Sequence, residues 1–554
     1  MRYLTLFLLA FLCAALVVHD RLLGSQVSFS FGTNGLSSLT VDGQECLRNG
    51  LPNWIEGAGI LRHLDGSTVG LSVSGGAWRH NSNTLTSIYT NSAAAWNIHY
   101  SVASSNMINI TVGITNRGTN LIAGWGVGLL QASFPSAPAG WNAATFAEAD
   151  NYNRPLSLSN AWSPDYISVV TTMDLHKPVT AYWWSSEGMT SNQANLIVST
   201  TGLGGYGGSQ PLYGINQFLS RPIPPGGCDA VNLSWRFGST NSGDHVGSLM
   251  SDVYRAWSSD VPYRLKWSNR RPILSLFLSS SSAVRLRNPR GWLGWDTTVI
   301  PDSISATGRV YFATQLLKLA TNAAARAALM DAQGIIVWDL EGWGVPRAVY
   351  NGEPDDLPPE MEVVVDSFFA ALRSKGAKAG VTVRSQKVWQ PIYHADAGTG
   401  HQNYDPLDIQ GSLSAKISYC KSRWGCTLFY VDSNFVGSMV QPFEFFRAVA
   451  LANPDVLLIP ESATPLYFPF TAPYMVAPGF GGGNLVGTDT PESILAIWPQ
   501  AFDVIKVNHK APNFDALVAS VRRGSILLCD AFSYAVQTNV MRIYAAAGRQ
   551  GSRQ

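Results

Sequence analysis

Residues 428–434 read Leu-Phe-Tyr-Val-Asp432-Ser-Asn, and residues 456–462 read Val-Leu-Leu-Ile-Pro-Glu461-Ser. Each is a short run of apolar and β-branched residues closed by one carboxylate. A strand buried on both faces of a parallel sheet has this composition, because neither face meets water. In a (β/α)8 barrel the C-terminal strand ends form the active-site face, so two acids placed there predict acid/base or nucleophilic chemistry.

Six further runs share the pattern: Ile273–Phe277, Ile335–Glu341, Ala379–Arg384, Tyr474–Ala477, Val504–Asn508 and Ile526–Asp530. Helical periodicity lies between them, in Phe312–Ala332, from Pro358 through Leu372 to a stop at Gly376, and in Leu413–Trp424, Phe443–Ala452, Glu492–Phe502 and Phe514–Arg522. Strand alternating with helix predicts a (β/α)8 TIM barrel, since every parallel crossover needs a covering element. A doubly wound open sheet would show a Gly-rich nucleotide turn after an early strand, and none is present. Gly479-Phe-Gly-Gly-Gly-Asn484 is no phosphate loop, because Lys-Ser/Thr does not follow.

Upstream the grammar is different. Residues 25–263 are rich in Ser, Thr, Asn and Gly, with alternating stretches such as Trp96-Asn-Ile-His-Tyr-Ser-Val and Met107-Ile-Asn-Ile-Thr-Val-Gly-Ile. Alternation with frequent turn clusters predicts an N-terminal antiparallel β-sandwich. The basic segment Arg264–Arg271 marks the change to a barrel over 264–545, followed by a polar tail over 546–554.

At 554 residues, two domains are the natural expectation. The formal net charge is +1 and no long run of like charge occurs, so the sequence carries neither a nucleic-acid footprint nor a polybasic membrane patch. Arg2 precedes an apolar run from Tyr3 to Val18, with small residues after Cys13, which predicts a signal peptide or signal anchor over 1–24 and export to a periplasmic, extracellular or secretory compartment. That run is shorter than the ~20 residues of a membrane span, so no stable span is expected unless the leader is retained. Beyond the leader stand Cys46, Cys228, Cys420, Cys426 and Cys529, an odd number without zinc spacing. Cys420 and Cys426 either close a small disulfide loop or stand as separate thiols.

Other candidate residues gather at the same predicted barrel end. Strand alternation puts Asp339 and Glu341 on one side, facing the mouth, where they bind hydroxyls or water or pair with Arg384. With Asp432 they also make a conceivable metal cage. Trp295 beside Asp296, and Trp343 beside Glu341, offer stacking faces for sugar rings. His509 and Asp530 at later strand ends complete the substrate-contact candidates. No metal or cofactor is assigned.

The whole arrangement resembles carbohydrate-active enzymes that join an N-terminal β-sandwich to a (β/α)8 barrel. An Asp ending the fourth strand with a Glu ending the fifth is similar to the endo-α-N-acetylgalactosaminidase group and, more distantly, to the α-amylase superfamily; the sandwich is similar to that of α-galactosidase-like enzymes. The resemblance implies a glycoside hydrolase acting on an oligosaccharide or glycan, retaining and α-linked, with Asp432 as nucleophile and Glu461 as acid/base. The sequence departs from those patterns at Tyr430, where α-amylases carry Arg and α-galactosidases open Lys-x-Asp, and at Lys510, which replaces the acid after Asn-His. The alternative is a non-catalytic glycan-binding or envelope protein whose strand-end acids are structural.

Overall fold

The computed structural model describes residues 27–133, 158–199 and 222–549, except 33–34, 42, 46–58, 64–67, 72–76, 82, 164–165, 175–179, 185–192, 294–299, 343–351, 386, 389–401, 404–408, 433–434, 437–438, 441–442, 462–464, 477–491, 508–512 and 531–535. The chain divides into two compact units, with the principal break between Asp260 and Val261.

The first unit is built from antiparallel sheets of seven, five and three strands. Alternation sets its core: in Ala94–Ser104 the buried positions include Trp96, Ile98 and Tyr100, and in Met107–Asn116 they include Ile108, Ile110, Val112 and Ile114. These inward residues of the seven-stranded sheet meet the five-stranded one. Trp96 packs edge-on against Trp125 with ring centroids 5.3 Å apart, and the Tyr100 hydroxyl donates to the Leu129 carbonyl. Two sheets sharing one aromatic layer is the sandwich arrangement.

The second unit holds eight parallel strands: β1 (Ile273–Phe277), β2 (Gly334–Trp338), β3 (Lys378–Arg384), β4 (Cys426–Asp432), β5 (Leu457–Pro460), β6 (Tyr474–Val476), β7 (Val504–Val507) and β8 (Ile526–Cys529). Their order across the sheet is β5-β4-β3-β2-β1-β8-β7-β6, which is cyclic in chain order, and Ala472 N–H donates to Leu458 O at 3.0 Å across the remaining seam. Side chains from seven of the eight strands meet in one apolar cluster that includes Ile273, Trp338, Tyr430, Ile459, Tyr474, Val504 and Leu528. The sheet therefore curls into a nearly closed barrel around that cluster.

The helices follow amphipathic spacing. In α1 (Ala306–Leu329) the residues Phe312, Leu316, Leu319, Ala320, Ala323, Ala324 and Ala327 form the buried stripe, and the Ser305 hydroxyl caps the start by accepting from Gly308 N–H at 3.1 Å. The helix expected from Pro358 splits into Pro359–Glu362 and α2 (Val365–Arg373). After these come α3 (Ile409–Trp424), α4 (Phe443–Ala452), α5 (Glu492–Ile497), α6 (Phe514–Arg523) and α7 (Thr538–Ala546). Between β5 and β6 the described residues contain only the 3-10 turn Pro465–Tyr467. Pro465, Pro469 and Pro473 remove backbone donors from that short connection and leave no room for an α-helix. Among the described residues no helix is long and apolar enough to cross a membrane.

Cys420 and Cys426 are both free and buried, so the disulfide alternative is not realised; burial pushes both thiols well above the usual range, and such thiols are poor nucleophiles. Cys46 lies outside the described residues.

Candidate active site

Parallel register decides which side chains share the barrel lumen. Tyr430 and Ile459 belong to the interior cluster and are register partners, and Val431 pairs with Pro460. One step further come Asp432, the last residue of β4, and Glu461, the first residue after β5, whose N–H donates to Val431 O at 2.9 Å. Asp432 pairs in register with Arg384 on β3, and Arg384 Nη2 lies 3.5 Å from Asp432 Oδ2. Asp432 is buried and Glu461 half-buried.

Asp339 and Glu341 reach this end by a different route from the expected one. β2 stops at Trp338, and Asp339 adopts a left-handed backbone with φ of 58°, so strand alternation does not govern the two acids. The chain turns there through Gly342, whose φ is 80° and whose place a Cβ cannot take, since it would stand 2.7 Å from the Arg290 Cβ. Arg290 holds the turn: its Nη1 donates to Glu341 O at 3.3 Å, while its Nε sits 3.2 Å from Glu360 Oε1, which also accepts from Trp292 Nε1 at 3.1 Å.

The turn buries both carboxyls and brings Asp339 close enough to Asp432 to feel its charge. Burial, with Glu341 and Asp432 adding repulsion against the opposing pull of Ser279, pushes Asp339 up to about 7. Burial likewise pushes Glu341 up to about 7, with Lys416 opposing and Glu353 adding to the rise. Asp339 Oδ2 and Glu341 Oε1 have no hydrogen-bond partner among the described residues. Two carboxyls that take up protons as the pH falls through about 7 thus lie at the same barrel end as Asp432 and Glu461.

Glu353 and Lys416 carry no strand-end signature and escaped the sequence reading. Lys416 projects from α3, with Nζ 2.8 Å from Glu353 Oε1, and donates to the Arg384 carbonyl at 3.0 Å; both side chains are buried. This ammonium ties the end of β3 to the loop containing Gly352, whose carbonyl accepts from Arg384 N–H at 3.5 Å. The signal for Lys416 lay in its place on an apolar helix face, between Leu413 and Cys420.

Lys506 was also missed, although a lysine inside the apolar run Val504-Ile-Lys-Val is itself a signal, because a buried ammonium needs a partner. That partner is Asp530, whose Oδ2 is 3.2 Å from Lys506 Nζ. Burial raises the Asp530 pKa against the pull of Lys506 and of Ser275. Trp338 Nε1 donates to Ser275 Oγ at 2.9 Å and the Trp338 ring stacks on Phe277 with centroids 5.2 Å apart, so β1, β2, β7 and β8 meet in one polar-aromatic group.

Of the expected site residues, the structure therefore gathers Asp432, Glu461, Arg384 and Asp339 at one end of the barrel, with Glu341 behind Asp339 and Asp530 on the far wall. Trp295, Asp296, Trp343 and His509 lie outside the described residues. Among the described residues no group of three or more His, Cys, Asp and Glu is arranged to hold a metal ion, so Asp339, Glu341 and Asp432 do not form the metal cage.

No family model and no curated protein matches the chain. Among solved structures it is similar to an α-galactosidase from Thermus thermophilus in complex with stachyose, at 12% identity and TM-score 0.41, covering 82% of this chain and 98% of that one. It is also similar to α-L-fucosidase isoenzyme 1 from Paenibacillus thiaminolyticus, at 11% identity and TM-score 0.29, covering 51% and 76%. A heparan sulfate lyase mutant from Pedobacter heparinus overlaps more loosely, at 6% identity and TM-score 0.21, covering 36% and 30%.

Proposed function

We propose that the protein is an exported glycoside hydrolase that retains configuration at an α-linkage of an oligosaccharide or glycan. The observation that carries this reading is the placement of Asp432 and Glu461: one ends β4, the other follows the end of the adjacent parallel strand β5, and the Glu461 N–H donates to Val431 O. Neighbouring strands run ~4.8 Å apart, close to the ~5 Å between the two carboxyls of a retaining pair.

In the first step an Asp432 oxygen attacks the anomeric carbon, the glycosidic C–O bond breaks, and the Glu461 proton passes to the leaving oxygen. In the second, Glu461 takes a proton from water, the water oxygen attacks the same carbon, and the bond to Asp432 breaks. Arg384 fixes the Asp432 carboxylate for attack. Asp339, neutral below about pH 7, keeps a second carboxyl beside the nucleophile without adding a second charge. The test is turnover on aryl glycosides covering common sugars in both configurations: activity lost in Asp432→Ala with the fold retained supports the assignment, and full activity in that variant ends it.

The second reading is a glycan-binding protein without turnover. It is favoured by the pairing of Asp432 with Arg384, which also suits a purely structural acid. Such a protein binds sugars and releases no aglycone from any member of the panel.

A further inference from the structure

We propose that Lys506 and Asp530 form a sugar-hydroxyl clamp, a subsite for the vicinal diol of a neutral pyranose, on the wall of the barrel opposite Asp432. The inference rests on the saccharide-binding reading above and adds to it a second recognition point and a substrate class.

Strand order supplies the first argument. Arg384 and Asp432 belong to β3 and β4, Lys506 belongs to β7 and Asp530 directly follows β8, so the two ion pairs lie half a turn apart in the cyclic order. Register makes both inward-facing: Lys506 pairs with the interior residue Leu528, and Asp530 lies two residues beyond Leu528. Between the pairs, Lys506 Nζ stands 5.5 Å from the centroids of both Phe277 and Trp338, and Trp338 meets Tyr430 at 4.6 Å. An aromatic group thus runs from Lys506 toward β4, the strand that carries Asp432. An eight-stranded barrel is only wide enough inside for side chains or one small ligand, which suits a single sugar ring.

The atoms supply the second argument. Asp530 Oδ2 faces Lys506, whereas its Oδ1 is buried without a hydrogen-bond partner among the described residues. A buried carboxylate oxygen left unpaired is costly and marks a place for a donor. Adjacent ring hydroxyls meet both demands, one donating to Oδ1 and the other accepting from the ammonium. On a pyranose, the hydroxyls at C3 and C4 lie across the ring from the anomeric carbon, so a ring engaged here presents that carbon toward Asp432.

Charge supplies the third. Among the described side chains of the upper lumen, Arg384 and Lys506 are each matched by a carboxylate, and Glu461 adds another acid. Among the described residues, therefore, no surplus cation is left there for a uronate or a sulfate ester, and hydroxyls need none.

The full-length protein and its Lys506→Met and Asp530→Asn variants are titrated calorimetrically with methyl α-glycosides of galactose, glucose, mannose, N-acetylgalactosamine and galacturonic acid, and with 3,4-dideoxy counterparts of the neutral sugars. At least one neutral glycoside should bind the wild type, bind both variants at least tenfold more weakly, and lose the same factor when its C3 and C4 hydroxyls are removed. Affinities in the variants within twofold of wild type, galacturonide binding as tight as the neutral sugars, or no binding at all would overturn the clamp. Melting curves confirm folding, and Lys506→Gln replaces Lys506→Met if the latter does not fold. Unchanged affinities together with turnover abolished by Asp432→Ala sink the clamp and leave the hydrolase; tenfold losses together with turnover that survives Asp432→Ala do the reverse.

Discussion

Arg384 Nη2 and Asp432 Oδ2 lie 3.5 Å apart at register-matched positions of neighbouring parallel strands, and both side chains are nearly sequestered from water. The pair sets the position of the proposed nucleophile. Removing one member of a buried pair leaves the other charge without compensation, which costs about 3–5 kcal/mol. Arg384→Met should therefore lower the denaturation midpoint substantially and cut turnover, while Arg384→Lys keeps most of the stability but loses the planar fork that orients the carboxylate. Equal stability of Arg384→Met and wild type in urea melts would show that the pair contributes nothing.

The buried carboxyls give a pH dependence of defined sign. Asp339 and Glu341 titrate near 7 in the folded protein and near 4 when unfolded. Between those values the folded state holds protons that the unfolded state has released, so stability falls as pH rises and levels off above about 7. Each group contributes a slope of at most about 1.4 kcal/mol per pH unit. Asp339→Asn should flatten this slope and gain stability relative to wild type at pH 7, read as urea midpoints at pH 5 and pH 7. Parallel pH profiles of variant and wild type would count against the assignment.

Lys416 joins α3 to the ends of two strand loops through Glu353 and the Arg384 carbonyl. Lys416→Met removes the ammonium that faces the buried Glu353 carboxylate and should destabilise by about 3 kcal/mol or more. The double variant with Glu353→Met should recover most of that loss, because an apolar pair of similar volume replaces a buried ion pair at little cost. Additive losses in the double variant would mean that the two residues act independently.

Gly352 has a φ of 66°, and a Cβ added there would stand 2.5 Å from the Arg384 backbone nitrogen. Gly352→Ala must therefore displace the end of β3 and with it the guanidinium beside Asp432. Turnover and stability should fall together, in contrast to Gly376→Ala, where the φ of 82° is strained but no atom lies within 4 Å and only stability should fall.

The eight strands were legible because a strand buried on both faces must be apolar throughout, so Cys426–Asp432 and Leu457–Pro460 stand out from their polar surroundings. The same rule misplaced Asp339 and Glu341. Their run looks like a continuing strand, and the left-handed turn at Asp339 is set by Gly342 packing against Arg290, a contact between residues far apart in the sequence. Glu353 and Lys416 were invisible for a related reason: one lies in a loop and the other on a helix, 63 residues apart, and only the folded chain brings them together. Lys506 was readable in principle, since a charge at an inward strand position requires a partner, and Asp530 sits at the matching end of the next strand.

The roles of Asp432 and Glu461 differ in a way that kinetics separates. Loss of the nucleophile removes the first step whatever the aglycone, whereas loss of the acid matters only when the leaving oxygen needs a proton. Asp432→Ala should thus be inactive on every aryl glycoside. Glu461→Gln should lose activity ~10²–10⁴-fold on alkyl glycosides and far less on dinitrophenyl glycosides, whose leaving group departs unprotonated. Added azide should then raise the rate of Glu461→Ala and yield a glycosyl azide of retained configuration, because the anion attacks the covalent intermediate without a general base. A glycosyl azide of inverted configuration from that variant would reverse the stereochemical assignment, and equal losses on both leaving groups would remove Glu461 from the acid role.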